Sequence, residues 1–136
     1  TLKNRSLFIS HSLTKKFILL KRFLPALIWA LIILFLSTMP SVQLPENLIS
    51  PDKFAHAFVY GILVILILYG LKKTDILIQR NIWLSIIVSA SYGCSMEIIQ
   101  YAFFPGRMFE WGDNLANTIG CFLGWLIFDK FVKHRL

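Results

Sequence analysis

The apolar positions of this chain gather into four long runs, and within each run polar residues are too few to form a solvated face. The first is Phe23–Met39 (FLPALIWALIILFLSTM). The second starts at Pro51 and continues to about Leu71, ending in GILVILILYGL. The third is Ile82–Phe104 and the fourth Asn114–Phe131. Segments of this length that are apolar all round are read as helices crossing a bilayer. At helical rise the third run alone measures about 34 Å, enough to cross the hydrocarbon core.

The interruptions carry ordinary punctuation. Pro40, Pro45 and Pro51 break the chain between the first two runs. Ser50-Pro51-Asp52 reads as a helix start, with Ser50 as N-cap, Pro51 at the first helical position and Asp52 in the first turn. Pro105-Gly106 ends the third run. Residues 1–22 hold Lys3, Arg5, Lys15, Lys16, Lys21 and Arg22, with Phe8, Ile9, Leu13, Phe17 and Leu20 spaced among them. That segment is either an amphipathic helix on the membrane surface or a basic tail, and we read it as the helix. Basic residues before an apolar run also describe a signal peptide. The later segments need a helix partner, so Phe23–Met39 is read as a retained span. The opening residue is Thr1, read as a start that lies upstream or has been processed. The expected fold is therefore all-α: a polytopic membrane protein built as a bundle of four transmembrane helices (residues 23–136), preceded by the basic segment 1–22.

Composition supports this class. The chain is 57% hydrophobic and 15% charged, with a mean hydropathy of +0.67, outside the range of ordinary soluble domains. A net charge of +7 would suggest nucleic acid in a soluble protein. Here the basic residues flank apolar runs, so no nucleic-acid partner is expected. Twelve of the fourteen Lys and Arg lie in the tail, the 72–81 loop and the C-terminus, leaving Lys53 and Arg107 for the other two loops. The positive-inside rule then puts both termini in the cytoplasm, with anionic lipid headgroups as partners of those basic ends. Cys94 and Cys121 fall inside apolar runs and are read as packing residues.

This topology gathers the polar residues. Asp52, His56 and Tyr60 share a face at the outer end of the second helix. Ser85, Ser89, Gly93, Glu97 and Gln100 form one stripe on the third. Asp113 and Asn117 begin the fourth, with Gly120-x-x-x-Gly124 below them as a packing motif. With Lys53 and Arg107, these residues converge in the outer third of the membrane, where an unpaired charge costs on the order of 3 kcal/mol. Arg107 is therefore expected beside Glu97, Glu110 or Asp113, and His56 facing Glu97 or Asn117 rather than lipid. The candidate binding set is Asp52, Lys53, His56, Tyr60, Glu97, Gln100, Arg107, Asp113 and Asn117. His56 and Glu97 are the candidate catalytic residues.

The elements D-K-x-x-H-x-x-x-Y (Asp52–Tyr60), E-x-x-Q (Glu97–Gln100) and R-x-x-x-x-x-D-x-x-x-N-x-x-G-x-x-x-G (Arg107–Gly124) occur in this order on these helices. Together they resemble the VanZ-like family of small bacterial membrane proteins, over roughly Phe23–Phe131. The resemblance implies a compact helical bundle in the bacterial inner (cytoplasmic) membrane and a cell-envelope role. The family's namesake gives low-level resistance to the glycopeptide teicoplanin.

Two functions fit the residues. One is a binding protein whose outward pocket holds a lipid or a lipid-linked wall precursor, with Arg107 as the phosphate ligand. The other is a membrane enzyme acting on the same class of substrate, with His56 and Glu97 as acid/base pair and Asp52 or Asp113 orienting His56. No cofactor is expected. No standard metal-ligand spacing is present, so no metal is assigned; a metal variant of the enzyme would use His56, Glu97 and Asp113. A channel would need oligomerisation, since four helices enclose little of a pore.

Overall fold

A computed structural model describes residues 2–39 and 51–135, with side chains from residue 17 onward. Among the described residues the regular elements are all helical: α1 (Leu2–Ser37), α2 (Pro51–Lys73), α3 (Gln79–Phe103) and α4 (Trp111–Ile127). A π turn (Phe128–Val132) and a short 3₁₀ turn (Lys133–Arg135) follow α4. All four helices are long and apolar enough to cross a membrane. The all-α, four-span architecture expected from the hydrophobic pattern is the observed one.

The boundaries differ in instructive ways. The basic segment and the first span are one unbroken helix of 36 residues. No residue between them breaks a helix, and Pro25 lies inside α1 without ending it. Proline removes one backbone donor, a loss that membrane helices tolerate where neighbours compensate. Arg22 remains at the polar end because its guanidinium caps α2: Nη1 donates to the Lys73 carbonyl at 2.6 Å. The start of α4 falls at Trp111, three residues early, which places Asp113 in the first turn where the helix dipole favours a carboxylate. The expected N-cap Ser50 and the prolines Pro40 and Pro45 lie outside the described residues.

α2 is the central helix and touches the other three. Its inner positions Leu63, Val64, Leu68 and Leu71 are buried, packed with Ile33, Ile86, Met96 and Phe128 of the other elements, while Phe54 and Phe58 face outward. The α2–α4 seam is made by glycine. A Cβ at Gly120 would run into the main chain of Ala57, and one at Gly124 into that of Gly61, so the two backbones are in contact. α1 lies on this core more lightly, with Ala26 and Ile33 buried. Polar anchors fix it instead: Trp29 Nε1 donates to the Val59 carbonyl at 2.9 Å, and Tyr92 Oη to the Ala30 carbonyl at 2.7 Å. The outward side chains, among them Leu31, Phe35, Phe58, Val88 and Leu123, are large and apolar, as a lipid-facing surface requires.

The α3–α4 connection matters most for the site. α3 ends at Phe103, and the Arg107 N–H returns to the Phe104 carbonyl at 3.2 Å. Pro105 and Gly106 occupy the centre of that turn, and Gly106 has φ of 88°. This is the Pro-Gly pattern of a type II turn, in which the third residue needs positive φ. The turn aims Arg107 back toward α1.

Candidate functional site

At the N-terminal ends of α2 and α4 and the C-terminal end of α3 the expected residues come together in two adjoining groups. The first lies between α2 and α4, buried at Asp113 and Asn117 and open toward Asp52. Lys53 Nζ stands 3.3 Å from both Glu110 Oε2 and Asp113 Oδ1. His56 Nδ1 lies 3.0 Å from Asn117 Oδ1, while Nε2 lies 3.8 Å from Asp113 Oδ2 and 3.9 Å from Asp52 Oδ1. His56 thus faces Asn117 rather than lipid. A neutral imidazole donating from Nδ1 to the amide oxygen keeps its lone pair on Nε2, between the two carboxylates.

Glu97 stands behind this group and is 2% exposed. Its charged neighbours are Asp113, His56 and Glu110, and the Glu110 backbone N–H donates to it. Asn117 is 1% exposed; its Nδ2 faces Gly93 and has no partner among the described residues.

The second group borders a cavity of about 190 Å³ between α1, α2 and α3. Asp52, His56, Tyr60, Gln100 and Arg107 supply its polar side, and Ile33, Leu36 and Val59 supply an apolar wall. Gln100 Nε2 donates to the Ser37 carbonyl at 2.9 Å, and Arg107 Nη2 to the Met39 carbonyl at 3.1 Å. His56 belongs to both groups and connects them.

One expected contact is replaced by another. Among the described residues Arg107 forms no ion pair; it turns toward α1 and the cavity, and Lys53 takes the acidic partners expected for it. The Pro-Gly turn sends Arg107 one way and Glu110 and Asp113 the other. The enzymatic reading's pairing of His56 with Glu97 also shifts, because the carboxylates nearest to His56 are Asp52 and Asp113.

Sequence reasoning placed Gly93 on the polar stripe of the third helix without seeing its role, and missed Gly112; both glycines make the first group possible. A Cβ at Gly93 would stand 2.7 Å from Asn117 Nδ2, and one at Gly112 would stand 2.7 Å from Lys53 Cε. Gly93 admits the Asn117 side chain, and Gly112 lets Lys53 pass to Glu110. Their positions opposite polar residues were the available signal. The contribution of α1, through the Ser37 and Met39 carbonyls, left no trace in side-chain chemistry. Cys94 and Cys121 are free thiols apart from the cavity lining.

The comparisons agree with the helices and residues described. The family model for VanZ/LLP1 matches residues 22–132, from the end of the basic segment through α4. No curated protein and no solved structure matches the chain. With the match spanning all four apolar helices and both groups of polar residues, the chain belongs to the VanZ/LLP1 family.

Proposed function

We propose that the cavity between α1, α2 and α3 binds the anionic headgroup of a lipid or lipid-linked wall precursor in the outer half of the bacterial cytoplasmic membrane. The observation that carries this reading is the mixed lining: a guanidinium and an amide beside an apolar wall of Ile33, Leu36 and Val59. That lining matches an amphiphile whose charged group and first methylenes enter together. Arg107 is the phosphate ligand, because its planar fork offers paired donors to phosphate oxygens. His56 and Gln100 complete the polar end. Lys53, Glu97, Asp113 and Asn117 hold His56 in place from behind.

In this reading both termini are cytoplasmic, and the basic ends touch anionic lipid headgroups. Sequestering or presenting a wall precursor would contribute to glycopeptide (teicoplanin) resistance. The test is lipid retention: the protein purified in mild detergent should carry a phospholipid or polyprenyl-phosphate species, detected by native mass spectrometry. Arg107→Ala should lose it at unchanged melting temperature. Equal retention by both proteins would refute the reading.

A second reading is a membrane enzyme acting on the same lipid-linked substrate, with His56 as the acid/base residue and Asp52 and Asp113, rather than the expected Glu97, beside it. The observation favouring it is the His56 ring, bonded at Nδ1 and flanked by carboxylates at Nε2, an arrangement suited to proton transfer. Chemical conversion of a bound lipid, absent in His56→Gln, would select this reading over simple binding.

A further inference from the structure

We infer that Asp52, His56 and Asp113 form a site for one divalent transition-metal ion of the zinc class, with its open coordination position toward the cavity. The donor atoms of the three side chains all lie within 4.8 Å of one another. His56 Nε2 stands 3.9 Å from Asp52 Oδ1 and 3.8 Å from Asp113 Oδ2. Zinc holds nitrogen and oxygen ligands at about 2.0–2.2 Å, so a contraction of a few tenths of an ångström closes this triangle on one ion.

Three features outside the triangle point the same way. Asn117 Oδ1 lies 3.0 Å from His56 Nδ1, placed to accept its proton, so that with a metal bound the ring nitrogen facing the carboxylates would be the lone-pair donor. Metal-ligating histidines are oriented in this way by a second-shell acceptor. Lys53 holds Asp113 by Oδ1 and leaves Oδ2 toward His56. Finally, Glu97 is a carboxylate with 2% exposure and no ion pair among the described residues, and its charged neighbours are His56, Asp113 and Glu110.

Imidazole nitrogen with two carboxylates selects zinc or a neighbouring transition ion over magnesium and calcium, which take oxygen donors. Asp52 and His56 also line the cavity, so the fourth position opens toward the space bordered by Arg107. The metal and the guanidinium could then hold one anionic group between them. The metal site itself does not depend on the lipid proposal.

The test uses the full chain in detergent, stripped with chelator and titrated with zinc chloride alone. His11 and His134 are replaced by Gln to remove other imidazoles. The expected result is one zinc retained per chain, with a rise in melting temperature. Asp52→Asn changes an exposed side chain and should leave the fold intact while weakening binding more than about 100-fold, the upper end of a second-shell loss. His56→Gln should do the same. Asn117→Ala should cost about 10- to 100-fold, while Asn117→Asp, which keeps the acceptor, should retain binding. Zinc binding by Asp52→Asn as tight as that of the parent, or no retained zinc in the parent, would overturn the site.

Discussion

Adding one methyl group at Gly120 should damage the site from a distance. A Cβ there would lie 2.6 Å from Ala57 Cα and 2.7 Å from the Ala57 carbonyl carbon, where ordinary contact begins at 3.4 Å. Both obstacles are main chain, so no rotamer change relieves them. The Ala57 carbonyl oxygen lies closer still, so α4 must move from α2 by more than about 0.8 Å, and overpacking of this kind costs about 1–3 kcal/mol. Gly120 lies one turn from Asn117, and Ala57 is next to His56. The same shift stretches the 3.0 Å His56–Asn117 contact beyond about 3.6 Å, where it is no longer a hydrogen bond. Its loss adds about 1 kcal/mol. Gly120→Ala should therefore lose about 2–4 kcal/mol in reversible unfolding in detergent. It should also change the imidazole nitrogen shifts of His56. Ile119→Ala, which shortens an exposed neighbour, is the control and should stay within about 0.5 kcal/mol. A Gly120→Ala protein with parental stability and unchanged His56 signals would refute the claim that this seam sets the site.

Other perturbations separate the roles of the polar residues. Glu97→Gln keeps the volume and removes the charge; it should melt at or above the parental temperature, since a neutral amide is the cheaper buried group, yet lose ligand retention in native mass spectrometry. A stable variant with full retention would make Glu97 a scaffold residue. Lys53→Met strands Asp113 and Glu110, and should cost about 2–3 kcal/mol, below the range for a fully buried pair because Lys53 is partly solvated; an unchanged denaturation midpoint would contradict the pairing. Trp29→Phe removes the bond from α1 to the Val59 carbonyl. It should destabilise by about 1 kcal/mol and weaken crosslinking between cysteines placed on α1 and α2, and parental crosslinking would show that the anchor is dispensable.

How much of this was legible in the sequence depended on whether a relation ran along a helix or between helices. Asp52, His56 and Tyr60 could be placed on one face because helical register is fixed by the backbone. The four spans could be placed because hydrocarbon thickness sets their length. The facing of His56 and Asn117 followed from matching depth across two helices. Partner choice between helices was less legible. Lys53 alone took the acidic partners expected for Arg107, because a single Pro-Gly turn sets which way Arg107 leaves α3, and charge counting does not contain that direction. The continuity of the basic helix with the first span went unread because basic residues were taken as a boundary, although their long stems let a helix continue through them. The main-chain carbonyls of Ser37 and Met39 that receive Gln100 and Arg107 have no side-chain signature at all.

The central claim is that Arg107 meets an anionic headgroup in the cavity beside His56, and solid-state NMR of the protein in native-like bilayers tests it most directly. With the guanidinium nitrogens isotope-labelled, the account predicts a phosphorus–nitrogen dipolar contact at Arg107 that disappears in Arg107→Lys and weakens in His56→Ala. A guanidinium with no phosphorus contact, in a protein whose α1–α2 crosslinks are intact, would contradict it.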